Sequence, residues 1–213
     1  PFTYATFHAE RAMAPGQLSH QQMQEIYHYD TINRETEIFG VIADPVTHSL
    51  SPLIHNAAFS QLKMNRAYIP FRVPQEELPQ FLSDCKELGI KGLSITIPHK
   101  EEILRHVDKF DEPSQQIGAA NTVVWVDGEK RAYNTDYKAA MSSIDGAFGG
   151  NEEGGSSLKG KSALVLGAGG VWRAIGFGFP ARAAGVMTAP RTDRRADGLG
   201  HNSPCPPPRP ALV

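Results

Sequence analysis

The chain has 213 residues, 40% hydrophobic and 21% charged, the balance of an ordinary globular protein with room for one large domain or two small ones. Its formal net charge of −2 gives no electrostatic reason to expect nucleic acid or an acidic membrane as partner. Only Cys85 and Cys205 are present, far apart, which argues against a disulfide framework and for a reducing, cytoplasmic setting. No apolar run reaches the roughly 18 residues of a membrane span, and the N-terminus lacks a signal-peptide pattern. The chain begins at Pro1 without Met, so its true start is expected upstream.

From about residue 36 to 145 the pattern alternates strand and helix. Glu37–Ala43 is short, apolar and rich in β-branched residues, which predicts a strand. Ser51-Pro52 predicts a helix start, with Ser capping free amides and Pro fitting the first turn. Leu53, Ala57, Ala58 and Leu62 would supply that helix's apolar face. Ala67–Val73 predicts a second strand. A helix from Pro74 follows, with Leu78, Phe81, Leu82 and Leu88 at helical spacing. Gly92–Ile97 predicts a third strand, with a short helix through Leu104 after it. Thr122–Val126, Asp127-Gly128 and Arg131–Asn134 read as a hairpin, because Asp-Gly suits a type I′ turn. The order βαβαβα implies a mostly parallel α/β sheet.

Gly149–Lys161 is polar and Gly/Ser-rich, the composition of a linker. A strand at Ser162–Leu166, then Gly-Ala-Gly-Gly and a helix, begins a Rossmann-type pattern. From about Gly198 the sequence is Pro-rich and without periodicity, as in a disordered or polyproline tail.

Four short pieces can carry chemistry. Ser49 and Ser51 lie two residues apart at a strand-to-helix turn, where the helix N-terminus favours a carboxylate; a lone capping serine explains them as well. Lys100 follows Ser94-Ile-Thr-Ile-Pro-His at the C-terminal edge of a strand, where α/β sheets bind ligands. Partly withdrawn from water, a lysine there can exchange a proton with an alcohol, although most lysines are simply solvated. Asp136, in Asn134-Thr135-Asp136, is either an N-cap or, if near Lys100, half of a proton-handling pair. Asn121, after Gly118-Ala119-Ala120, adds an amide at another loop edge.

In combination, GVIADPVTHSLSPLIHN, SITIPHK, GAANTV and YNTD resemble the shikimate dehydrogenase family over nearly all of residues 36 to 145. The resemblance implies an enzyme of aromatic amino-acid biosynthesis, an oxidoreductase interconverting shikimate and 3-dehydroshikimate with NADP. It implies that Ser49 and Ser51 hold the substrate carboxylate, that Lys100 and Asp136 form the catalytic pair, and that Thr96 and Asn121 bond the ring hydroxyls. Ser94 stands where the family often has Asn, and Glu112 falls where it has an acid near the cofactor. The implied chemistry moves a hydride to the nicotinamide while Lys100, held by Asp136, takes the alcohol proton.

The cofactor half matches less completely. Gly167, Ala168, Gly169 and Gly170 follow a strand and open a helix, the setting of a dinucleotide fingerprint. The third fingerprint position is Trp172, where close helix–strand packing requires a small residue. Arg191-Thr192-Asp193-Arg194-Arg195 resembles the family's basic motif, and arginines here accommodate a 2′-phosphate, so Arg191, Thr192 and Arg195 favour NADP over NAD; a solvated basic patch is the plainer alternative. Pro190 replaces the family's usual small polar residue. A full nucleotide fold needs roughly six strands, and two are offered, so a truncated or frame-shifted reading frame with little activity is expected.

Residues 1 to 33 resemble instead the final strand and loop of a type I 3-dehydroquinate dehydratase. They carry FTYATFHAERAMAPGQLS, with Gln17 matching a substrate-binding glutamine and Met13 replacing a frequent Ser. The dehydratase's Schiff-base lysine is absent, so this segment cannot dehydrate, but its neighbour implies a fused dehydratase–dehydrogenase. The expected organisation is therefore a dehydratase remnant at 1–33, a shikimate-binding catalytic domain at 34–150, an incomplete, truncated Rossmann-type NADP-binding domain at 151–198, and a tail at 199–213. The expected partner is a small molecule, with no nucleic acid, membrane or metal; the histidines show no HExxH or paired Cys/His spacing. Oligomeric state is left open. A quinate/shikimate dehydrogenase and a non-catalytic shikimate-binding fragment are the alternatives.

Overall fold

The computed structural model describes residues 5–7, 10, 14, 17–46, 49–149, 158–166, 176, 178–179 and 185–189. In chain order its elements are α1 (His20–Glu25), β1 (Glu37–Ala43), α2 (Ser51–Gln61), β2 (Arg66–Arg72), α3 (Leu78–Glu87), β3 (Ile90–Ile95) and β4 (Lys109–Phe110). There follow α4 (Glu112–Ile117), β5 (Thr122–Val126), β6 (Glu129–Tyr133), α5 (Thr135–Ala147), β7 (Ser162–Leu166) and β8 (Gly185–Ala189). By compactness the chain divides into two units, Pro1–Asp108 with Thr122–Arg131, and Lys109–Asn121 with Ala132–Val213.

In the first unit the strands take the order β2-β1-β3-β5-β6. β1 runs parallel to both β2 and β3, and β5 returns antiparallel along β3, so the sheet is mixed α/β with a parallel heart. Val41, Ile42 and Ala43 of β1, Leu93 and Ile95 of β3 and Val123 of β5 are buried, and Leu78, Leu82 and Cys85 supply the buried face of α3. Such near-continuous apolar strands are what a sheet covered by helices requires. Gly40 is fixed by close approach: a Cβ there would lie 2.5 Å from the Ile69 carbonyl oxygen and from the Phe71 ring. The β5–β6 turn has Asp127 at φ 54° and Gly128 at φ 82°, the two left-handed residues of a type I′ turn.

Three sequence expectations are corrected here. The third strand is Ile90–Ile95 rather than Gly92–Ile97: after Thr96 donates its N–H to Ile42 O (3.2 Å), the chain turns. Leu88 is exposed, and Cys85 takes its place in the core. On α2, Leu53, Ala57, Ala58 and Leu62 are exposed, not buried. The buried residues are Pro52 and Asn56. The Asn56 amide donates to Tyr68 O (2.9 Å) and accepts from Tyr68 N–H (2.8 Å). A polar anchor to the edge strand β2 thus overrides the apolar stripe, because it satisfies backbone groups that a sheet edge leaves unpaired.

In the second unit α4 is capped by Asp111, whose carboxylate accepts from Ser114 N–H (3.0 Å), and ends on left-handed Gly118. Met141 of α5 packs with Leu158 and Phe179 into a small core, with Tyr137, Ala140, Ile144 and Ala163 against it. β7, with the bounds expected from sequence, pairs in parallel with β8, Leu166 opposite Ala189.

Candidate active site

The first unit carries Ser49, Ser51, Thr96 and Lys100. Ser51 is not the cap of α2. Leu50 occupies that position in a helical conformation without a side-chain cap, while Ser49 Oγ accepts from Ser51 N–H at 3.3 Å. Because β3 ends at Ile95, Thr96 and Lys100 come just past it, in a turn tied down on both sides. Asp44 N–H donates to Ile97 O (3.2 Å) and His99 N–H to Thr96 O (2.8 Å). Parallel β1 and β3 finish at the same end of the sheet, so the segments following each strand start from one edge, where α/β sheets place ligands.

His99 is fully buried beneath this turn. Its Nε2 lies 2.8 Å from Val73 O and must carry the proton, which leaves Nδ1 as an acceptor without a partner. Burial pulls the imidazole below its ordinary pKa, opposed by the Val73 hydrogen bond and by Asp44.

A second cluster was missed by sequence reasoning. Tyr68 on β2 donates its hydroxyl to Ser94 Oγ on β3 (2.6 Å), and the His55 ring stacks on Tyr68 with centroids 4.3 Å apart. Burial raises the Tyr68 hydroxyl, with the Ser94 bond opposing, and lowers the His55 imidazole. His55 lies inside the quoted SPLIHN segment, and an aromatic on a strand beside it was the available signal.

The second unit carries Asn121 and Asp136, and the structure brings these two together. The Asn121 amide donates to Asp136 Oδ1 (2.8 Å) and to Thr135 Oγ1 (2.8 Å), and Asn121 Oδ1 accepts from Thr135 N–H (2.9 Å). Asp136 is not an N-cap: Asn134 caps α5 by accepting from Tyr137 N–H (3.1 Å), and its amide donates to Ala119 O (2.8 Å). The carboxylate is thereby held by a neighbouring amide instead of being used up on the helix. Glu112 is exposed in the first turn of α4, where a negative charge suits the helix dipole. Gly167, Ala168, Gly169, Gly170, Trp172, Arg191, Thr192 and Arg195 lie outside the described residues. Among the described residues, no group of three or more His, Cys, Asp or Glu is placed to hold a metal. No helix among them is long and apolar enough to cross a membrane.

Residues 41–123 match the model of the shikimate dehydrogenase substrate binding domain. Over these residues the chain is similar to that domain of the shikimate dehydrogenases. A shikimate dehydrogenase (NADP(+)) of Nitrosopumilus maritimus is 41% identical over 162 residues, covering 76% of this chain and 57% of the relative. The chloroplastic bifunctional 3-dehydroquinate dehydratase/shikimate dehydrogenase of Arabidopsis thaliana is 34% identical over 202 residues, 91% of this chain and 33% of that protein. A crystal structure of the Thermus thermophilus shikimate 5-dehydrogenase with NADP(H) and shikimate is similar with a TM-score of 0.65 and 36% identity, covering 77% of this chain and 59% of that one. The chain thus spans a little over half the length of the shikimate dehydrogenase relatives it matches.

Proposed function

We propose that this chain binds shikimate and 3-dehydroshikimate and takes part in their NADP-dependent interconversion. The observation that carries the reading is the Asn121–Asp136 hydrogen bond of 2.8 Å within a chain similar to shikimate dehydrogenases, because it leaves a carboxylate oriented by an amide instead of capping a helix. Ser49 and Ser51 hold the substrate carboxylate, helped by the first turn of α2, which no side chain caps. Thr96 and Asn121 bond the ring hydroxyls. Lys100 takes the proton of the reacting alcohol, and Asp136 is the other member of the catalytic pair that the resemblance implies.

When bound, NADP supplies the hydride acceptor or donor. The chain fits that group in one describable respect. β7 and β8 are parallel and in register to their last residues, Leu166 and Ala189, the parallel strand pairing with which a dinucleotide-binding fold begins. Gly167, Ala168, Gly169 and Gly170 would take the pyrophosphate, Arg191, Thr192 and Arg195 the 2′-phosphate, and Glu112 would stand near the cofactor.

We further read residues 1–33 as the end of a dehydratase fused upstream. Supporting this, the alignment with the bifunctional plant enzyme takes in 91% of the chain. Thr6 also pairs across the loop to Ser19, with Thr6 N–H donating to Leu18 O (3.0 Å).

Calorimetric titration of the whole chain with shikimate tests the reading. Ser51→Ala should weaken binding about tenfold, the loss of a charge-assisted hydrogen bond. Lys100→Ala should retain binding but abolish NADPH oxidation by 3-dehydroshikimate. No shikimate binding, or equal binding by Ser51→Ala, would overturn it.

A further inference from the structure

The end of the first unit's sheet opposite Thr96 and Lys100 holds a cavity of about 530 Å³. β3 starts at Ile90, just after Lys86 at the end of α3, and the register Gly92↔Val124 sends Trp125 toward that start, away from Ser94. The cavity's size is that of a small-molecule site. Its wall has an apolar side from Leu82, Val107 and half-buried Trp125, and a basic side from Lys86, Arg105, His106 and Lys130.

The charges do not balance. One carboxylate, Glu102, serves both Arg105 (2.9 Å) and His106 (3.2 Å). Asp108, the acidic residue of the wall, spends Oδ2 on the Lys130 N–H at 2.7 Å, with the ammonium only at 4.0 Å. Lys86 makes no ion pair among the described residues. Three permanent cations and a histidine therefore face two carboxylates, one of them engaged by backbone. A concave wall with an excess of one charge sign next to low-dielectric surface concentrates the opposite ion, and an indole offers a flat face for a ring.

We propose that this cavity is a second ligand site, separate from the one described above, for a small organic anion: a planar ring bearing a carboxylate or a phosphate. The ring lies against Trp125, and its anionic group is held by Lys86 and Arg105.

Trp125 fluorescence in the full chain, with Trp172→Phe removing the other indole, provides the readout. Phenyl phosphate and benzoate are titrated in parallel, with inorganic phosphate as the charge without the ring. Saturable quenching by at least one ring anion, with Kd on the order of 1 mM or tighter, is expected. Inorganic phosphate should bind about tenfold or more weakly, and added salt should weaken every interaction. The tighter of the two ring anions identifies the anionic group. Lys86→Glu with Arg105→Glu should cost about tenfold or more, and the milder Lys86→Gln a smaller loss in the same direction, with unchanged circular dichroism and shikimate binding. Absence of saturable quenching overturns the proposal. So does inorganic phosphate binding as tightly as the ring anions, or affinity unaltered in both charge variants.

Discussion

Replacing Asn56 by Ala tests whether a single amide fastens α2 to the sheet. Asn56 and Tyr68 are both buried, and the wild-type side chain makes two bonds of 2.9 and 2.8 Å to the Tyr68 backbone. Truncation leaves one buried N–H and one buried C=O without partners. At about 1–3 kcal/mol for each of the two orphaned groups, the loss is about 2–6 kcal/mol. Against a total stability of roughly 5–15 kcal/mol, that is a large share. Asn56→Asp should fail too, because a carboxylate can accept from the N–H but cannot donate to the carbonyl. Leu53, on the same helix but exposed, supplies the contrast: Leu53→Ala should stay within about 0.5 kcal/mol of wild type. Urea unfolding followed by circular dichroism measures all three. If Asn56→Ala lies within about 0.5 kcal/mol of wild type, or Leu53→Ala costs as much, the polar anchor does not hold α2 and the apolar stripe does.

Burial, followed by Asp84, pushes the Cys85 thiol up to about 12. At pH 8 its thiolate fraction is on the order of 10⁻⁴, so in a Cys205→Ser background a thiol-reactive dye should label only unfolded protein; rapid native labelling would contradict the packing of α3. His99 has a folded-state pKa below its unfolded value, so its neutral form's contribution is full above about pH 6.5 and is lost as pH falls through the folded pKa. Urea midpoints measured from pH 7.5 down should decline, and His99→Gln should flatten that decline; an unchanged slope refutes the assignment. Trp172 stands at a fingerprint position that needs a small residue, so Trp172→Ala should bind NADPH more tightly in a titration, and equal affinity would sink that reasoning.

Local chemistry was legible where one residue pattern decides. The β-branched run of β1, the Asp127-Gly128 turn and the run at Ser162 were placed correctly because strand alternation and left-handed turn residues act within a few positions. The face of α2 was not legible. Helical spacing counts apolar residues, whereas Asn56 wins through two hydrogen bonds to a strand 12 residues away. The same blindness hid Tyr68 and Ser94, 26 residues apart in sequence. The serine and aspartate caps went to neighbours, Leu50 without a side-chain cap and Asn134 with one, because a cap depends on one residue's φ and ψ. Roles for Ser49, Lys100 and Asp136 came only from family resemblance; no spacing argument pairs residues so far apart.

The part of the candidate site that the structure does assemble is set by a turn remote from it. Asn121 precedes β5, and Asn134-Thr135-Asp136 follows β6, with Asp127-Gly128 folding one strand back on the other. Antiparallel pairing then returns the chain to where it began: Asn121 N–H donates to Tyr133 O at 3.0 Å, and the same residue's side-chain amide donates to Asp136 Oδ1, three residues beyond Tyr133, at 2.8 Å. A type I′ turn fixes hairpin register, and a slip of one residue would turn every side chain to the opposite face. The Asn121–Asp136 contact is therefore a register effect as much as a local one. Seven residues from Asn121, Gly128 takes the left-handed conformation that the register requires.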